Sequence, residues 1–233
     1  MIIKRVLGLT TIITLISFVS FMVMEPQSAS AVPDTITVSL NVTSEISITS
    51  PLDVTLLPAM AGMTGGSASG DATWTVKTSD SSGFGLTLKE ADAAYALVGA
   101  VQGDSFSDYI MTAQASTPDY EWTIIDSQAL FGFSVVAGTA ADTVGSFLVL
   151  GAGTACGVGG ANTTAPEKCW RGFSGTTEIS IINRLSETDF AGQAEKVIFK
   201  AQLYNADSVP NDVDGFVAED SYTTTITATA TTN

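Results

Sequence analysis

Tyr222-Thr223-Thr224-Thr225-Ile226-Thr227-Ala228-Thr229-Ala230-Thr231-Thr232-Asn233 sets threonine at 223, 225, 227, 229 and 231, with Tyr222, Ile226, Ala228 and Ala230 on the other parity. A strict period of two gives a β-strand one hydroxyl-bearing face and one apolar face. A second stretch answers it near the other end of the chain. Ile36, Val38, Leu40, Val42, Ile46 and Ile48 share one parity, while Thr35, Thr37, Ser39, Asn41 and Thr43 hold the other. No long amphipathic helical pattern lies between them. The chain therefore reads as all-β: a single Ig-like or jelly-roll-type antiparallel β-sandwich with loop insertions and little helix.

The N-terminus reads as an export signal. Lys4 and Arg5 precede the uncharged run Val6 to Met24, and Ala29-Ser30-Ala31 offers a small-residue cleavage site. Residues 1–31 are thus expected to be a signal peptide and 32–233 one secreted domain, with an uncleaved membrane anchor as the rival. Removing the signal leaves 7 basic and 23 acidic residues, a net charge of −16. So acidic a surface repels phosphate backbones and anionic lipid, which argues against nucleic acid and leaves the signal segment as the expected membrane contact. The 233 residues contain no histidine, which removes Ser-His-Asp and Cys-His mechanisms and most zinc sites. Cys156 and Cys169 both fall in the exported part, and an even count in an oxidising compartment predicts a disulfide.

Between the framing strands, short strands are expected at 52–57, 72–78, 83–88, 109–113, 120–125, 131–136, 147–150, 179–182 and 197–204. The pair 72–78 and 83–88 reads as a hairpin across Ser79 to Ser82. Ala61 to Gly70 reads as a loop, and alanine-rich Lys89 to Leu97 as a short helix. The stretches 89–130 and 151–175 read as elaborations on the sandwich.

Several patterns bear on chemistry. Gly151 to Gly160 has no lysine followed by Ser/Thr, so it reads as a loop flanking Cys156 and not as a phosphate loop. Asn211-Asp212-Val213-Asp214-Gly215, with Asp207 and with Glu219 or Asp220, is a candidate calcium loop, although the EF-hand register fails there. No other cofactor is expected. Trp74, Phe84, Phe131, Phe133, Phe147, Phe199 and Tyr222 fit strand faces and are expected in the core. Tyr120, Trp122, Trp170 and Arg171 lie beside Pro118 or the disulfide loop and form a candidate binding set, through which an exposed indole stacks on a sugar or a protein; a mini-core under the disulfide is the rival reading.

The first strand's apolar parity, the segment Thr64-Gly65-Gly66 through Trp74-Thr75-Val76, and Ser82-Gly83-Phe84-Gly85-Leu86-Thr87-Leu88 resemble secreted bacterial surface proteins of the WxL-like kind. Phe131-Gly132-Phe133-Ser134, the run from Cys156 through Cys169-Trp170-Arg171-Gly172, and the closing threonine strand are similar to secreted β-sandwich proteins of small, genome-reduced bacteria. The resemblance implies a cell-surface or extracellular structural role, with cell-wall glycan as a ligand in some cases. The tryptophan motif here is Trp74-Thr75-Val76, without a Trp-x-Leu near the C-terminus.

From Ile36 to Ile48 the first strand would run about 40 Å at ~3.3 Å per residue, against five or six residues for an ordinary strand. A strand longer than its sandwich can complete a neighbour's sheet. The leading expectation is therefore a non-enzymatic adhesion or structural protein of the cell surface, assembling with itself or other surface proteins into fibres by strand exchange. A break near Thr43-Ser44, giving two ordinary strands, is the rival for that segment. A carbohydrate-binding module is the alternative function; a glycoside hydrolase using two carboxylates and an ice-binding threonine array are further readings.

Overall fold

A computed structural model describes residues 36–91, 96–101, 103–112, 117–123, 128–151, 153–157, 163–203 and 217–233. The export signal and the candidate calcium ligands Asp207, Asp212 and Asp214 lie outside those residues. The chain divides into residues 1–42 and 43–233.

The described part of residues 43–233 forms an all-β, sandwich-like fold with ten strands among the described residues: β1 Ile46–Thr49, β2 Gly66–Thr78, β3 Phe84–Glu90, β4 Leu97–Gly99, β5 Ser105–Asp108, β6 Ala129–Ala137, β7 Ile179–Arg184, β8 Gln193–Leu203, β9 Tyr222–Thr223 and β10 Ile226–Thr232. Seven strands are ordered β1-β2-β8-β6-β5-β4-β9, and three are ordered β10-β3-β7. Pairing is antiparallel except between β5 and β6, which run parallel, so the fully antiparallel expectation needs that correction. The only helical pieces among the described residues are two 3-10 turns, Ala140–Asp142 and Gly145–Phe147.

The core follows from alternation. In β3 the burial strictly alternates, with Phe84, Leu86 and Leu88 fully enclosed and Gly85, Thr87 and Lys89 only partly covered. From β6, Phe131, Phe133 and Val135 face inward, and from β8 Val197, Phe199 and Ala201 meet them. Phe131 stacks between Phe173 and Phe199, and Phe133 packs on Phe147 and Phe173. The other parity of β6 is also buried, because a second layer built from Tyr109, Trp122 and Trp170 lies over Leu130 and Ile198. The expected elaborations, 89–130 and 151–175, supply that layer.

Several expected elements come out differently. Strands β2 and β3 are not a hairpin: β2 pairs with β1 and β8, β3 with β10 and β7, and residues 79–83 form a corner between sheets. Gly83 makes the corner fit, at φ +84° with Arg184 O where a Cβ would sit. Residues 66–70, expected as loop, open β2, since Val54 and Leu56 cover Gly70 where a side chain would clash. The expected helix at 89–97 is excluded at both described ends, where Lys89 and Glu90 pair in β3 and Leu97 pairs in β4. Residues 52–57 make a single bridge, Leu57 to Ser69, with Leu52 exposed. The closing strand breaks at Thr224-Thr225 into β9 and β10, which join different sheets. A further correction concerns the first strand, and it defines the candidate site.

Candidate functional site

The residues singled out in sequence fall into two places. The disulfide forms, with Cys156 and Cys169 bridged across a separation of 13 residues and both half-cystines buried with Val149. Immediately beyond it, Trp170 and Arg171 run alongside β6. The Arg171 N–H donates to Phe133 O at 2.9 Å, and the Phe133 N–H donates to Arg171 O at 2.8 Å. This pairing turns Trp170 inward. It is 2 % exposed, its Nε1 donates to Glu167 O, and it meets Trp122 edge to face at 5.1 Å. As a surface stacking platform Trp170 is therefore corrected: it belongs to the mini-core. Trp122 is half-buried, stacked at 4.3 Å on Tyr109, with the Lys200 ammonium 5.1 Å from its ring centre. Burial lowers the Lys200 pKa, offset in part by Glu167 and Glu121. Arg171 is half-buried, and desolvation lowers its pKa too. Tyr120 is half-buried against the disulfide with Lys168 over its ring, and Lys168 pairs with Glu121. Nearby, Ser69, Asp71, Glu167 and Lys196 line a shallow cleft of about 300 Å³, in which Lys196 and Asp71 pair at 3.2 Å.

The sequence offered no signal for the buried carboxylates, which serve as braces. Asp119 accepts from Tyr109 Oη and the Thr112 N–H, each at 2.8 Å, and burial pushes the Tyr109 phenol up. Asp104 accepts from the Ala218 N–H at 2.8 Å. Asp108 accepts from the Phe173 and Gly175 N–H groups; burial raises its pKa, and those bonds partly counter the rise. Of the looser calcium set, Asp220 instead accepts from the Val101 and Ser221 N–H groups. Among the described residues no three acidic or sulfur side chains are grouped as a metal set.

The second place is the start of the chain. The expected strand from Ile36 to Ile48 is strand only over Ile46–Thr49. Residues 36–45 belong to no strand, and Ile36, Val38, Leu40 and Val42 are 82–85 % exposed. The break falls where the rival reading put it, but the first half finds no partner among the described residues. Strand alternation needs a second edge to hydrogen-bond, and no strand pairing is formed by the described residues 36–42.

A half-open seam runs along one flank of residues 43–233. Strands β1 and β10 are terminal in their sheets and lie beside each other. Ile46 and Ile48 on one, and Ile226, Ala228 and Ala230 on the other, point toward the core yet stay only partly buried. By contrast, Phe84, Leu86 and Leu88 of the interior strand β3 and Val197, Phe199 and Ala201 of the interior strand β8 are buried. The outward threonines 227, 229 and 231 are exposed, as the period of two requires.

Comparison with protein-family models, curated proteins and solved structures finds no match to this chain. Among the described residues no helix is long and apolar enough to cross a membrane.

Proposed function

We propose that this protein is an exported, non-enzymatic structural subunit of the cell surface that assembles with copies of itself by donating the strand at residues 36–42. The observation that carries this reading is the exposure of Ile36, Val38, Leu40 and Val42 on one parity of a strand-forming segment. Four large aliphatic side chains left in water forgo roughly 6–12 kcal/mol at ~1.5–3 kcal/mol each, a gain that docking in a neighbour recovers in part. Singly exposed apolar residues are ordinary, but four with strand alternation in one uncharged segment of an acidic chain suit a donor strand. The disulfide and the acidic balance fit an oxidising, extracellular setting.

The glycan-binding reading has less support, because Trp170 is enclosed and Trp122 is engaged by Tyr109 and Lys200. The test is light scattering of the full chain, secreted with its leader and purified as the host processes it, beside a Val38→Asp/Leu40→Asp variant. High-mass oligomers that collapse to monomer in the variant support the reading. Equal mass distributions for both chains would remove it.

A further inference from the structure

A donated strand needs an acceptor, and the described sheets have four terminal strands: β1, β9, β7 and β10. Native proteins blunt such edges with short length, charge, proline or a covering segment. Three of the four are blunted. Strand β9 is two residues long and follows Asp220. Strand β7 is covered by the 143–144 segment, whose Val144 N–H donates to Ile181 O at 2.9 Å. Strand β1 is four residues long, between Glu45 and Pro51. Strand β10 has none of these protections. It is seven residues long, pairs only with β3 among the described residues, and carries no charge and no proline.

We propose that the outer edge of β10, at its seam with β1, is the acceptor for residues 36–42 of a second copy of this chain; the inference rests on the strand-donor reading above. Charge favours that occupant. In a chain of net charge −15, residues 35–44 and 221–233 contain no Asp, Glu, Lys or Arg, so two acidic copies meet there without charge facing charge. Side-chain size matches as well. The inward face of β10 is Ile226, Ala228 and Ala230, small enough to leave room beside Ile46 and Ile48 of β1. Ile36, Val38, Leu40 and Val42 supply the missing bulk, and with them inward Thr37, Ser39 and Asn41 join the exposed row Thr227, Thr229 and Thr231. Threonine-to-threonine or threonine-to-serine neighbours across strands are a favourable pairing. The small sheet then grows from three strands to four, and the seam closes.

Because donor and acceptor are different surfaces, each copy that accepts a strand still has one to give. The contact is heterologous and propagates as a ring or an open filament.

The test mixes two variants of the secreted full chain. The first, Val38→Asp/Leu40→Asp, is a defective donor; the second, Ala228→Lys/Ala230→Lys, puts inward charge on the acceptor edge. Alone, each is expected to be monomeric; mixed in equal amounts, they are expected to give a dimer and nothing larger. Continued polymerisation of the β10 variant overturns the acceptor assignment and leaves strand donation standing. Polymerisation of the donor variant overturns the reading beneath it. Hydrogen exchange on chains unaltered in β10 covers the case where the lysine variant does not fold. Amides of 226–232 should exchange at least ten times more slowly in the assembly than in the donor variant. Slowing confined to 46–49, or protection of 226–232 already present in a wild-type monomer through its own 36–42, overturns the proposal.

Discussion

Glu195 shows how much a single residue can carry without any signature in sequence. It sits on the inward face of β8, fully buried, accepting one N–H from Gly138 at 3.3 Å. Burial drives its carboxyl up to about 7; Asp142 adds to the rise, and Gly138 and Arg184 oppose it. The folded pKa thus lies above the ordinary glutamate value of 4.5, so the folded state holds the proton more tightly. The stabilisation is complete below pH ~4.5 and is lost as pH rises through about 7, on the order of 3 kcal/mol. Urea unfolding at pH 4.5, 6 and 8 should record a falling midpoint, and Glu195→Gln should flatten that fall. A midpoint independent of pH in the native chain would contradict the buried, protonated carboxyl. Gly132 poses a steric question instead. A Cβ there would stand 2.7 Å from Arg171 O and 2.8 Å from Tyr109 Cβ. Gly132→Ala should push the 170–171 segment off β6 and cost about 1–3 kcal/mol, read as a drop in melting temperature. An unchanged melting temperature would mean that this segment is not held against the sheet.

Among the elements, the disulfide loop and the strand edges decide most. Cys156–Cys169 closes a loop of 13 residues, and removing the bond should cost ~3 kcal/mol in the chain-entropy view. Cys156→Ser/Cys169→Ser should therefore unfold at lower urea while the core fluorescence of Trp74 is kept. Sequence made β3, β6, β7, β8 and β10 legible because each alternates, or runs continuously apolar where both faces are covered. It did not separate a hairpin from a sheet-crossing corner, since Ser79 to Gly83 has turn chemistry suited to both. Nor did alanine content at 89–97 outweigh the pairing of Lys89 and Glu90 with Thr227 and Ile226. The first strand was misread for a deeper reason. Alternation at Ile36 to Val42 states which faces the side chains would take, while a strand also needs a partner edge, which alternation does not supply. The candidate site was legible to the same degree. The alternation of the proposed donor is plain in the sequence, but the proposed acceptor edge can be named only once the edges of both sheets are known.

The acidic, well-packed sandwich carries an uncharged strand, β10, bordering a half-open seam, and the chain also holds the uncharged, exposed segment 36–42, which lies in no strand. Each feature by itself is common. Under the proposed strand exchange, stability is expected to rise on assembly, because a bound strand stabilises only the folded acceptor. Diluting assembled protein should accordingly lower its melting temperature, whereas the Val38→Asp/Leu40→Asp variant should melt independently of concentration. The most direct measurement is negative-stain electron microscopy of the secreted chain beside a chain lacking residues 36–43. The account predicts linear filaments or closed rings from the first and single particles from the second. Dispersed single particles from both would contradict it.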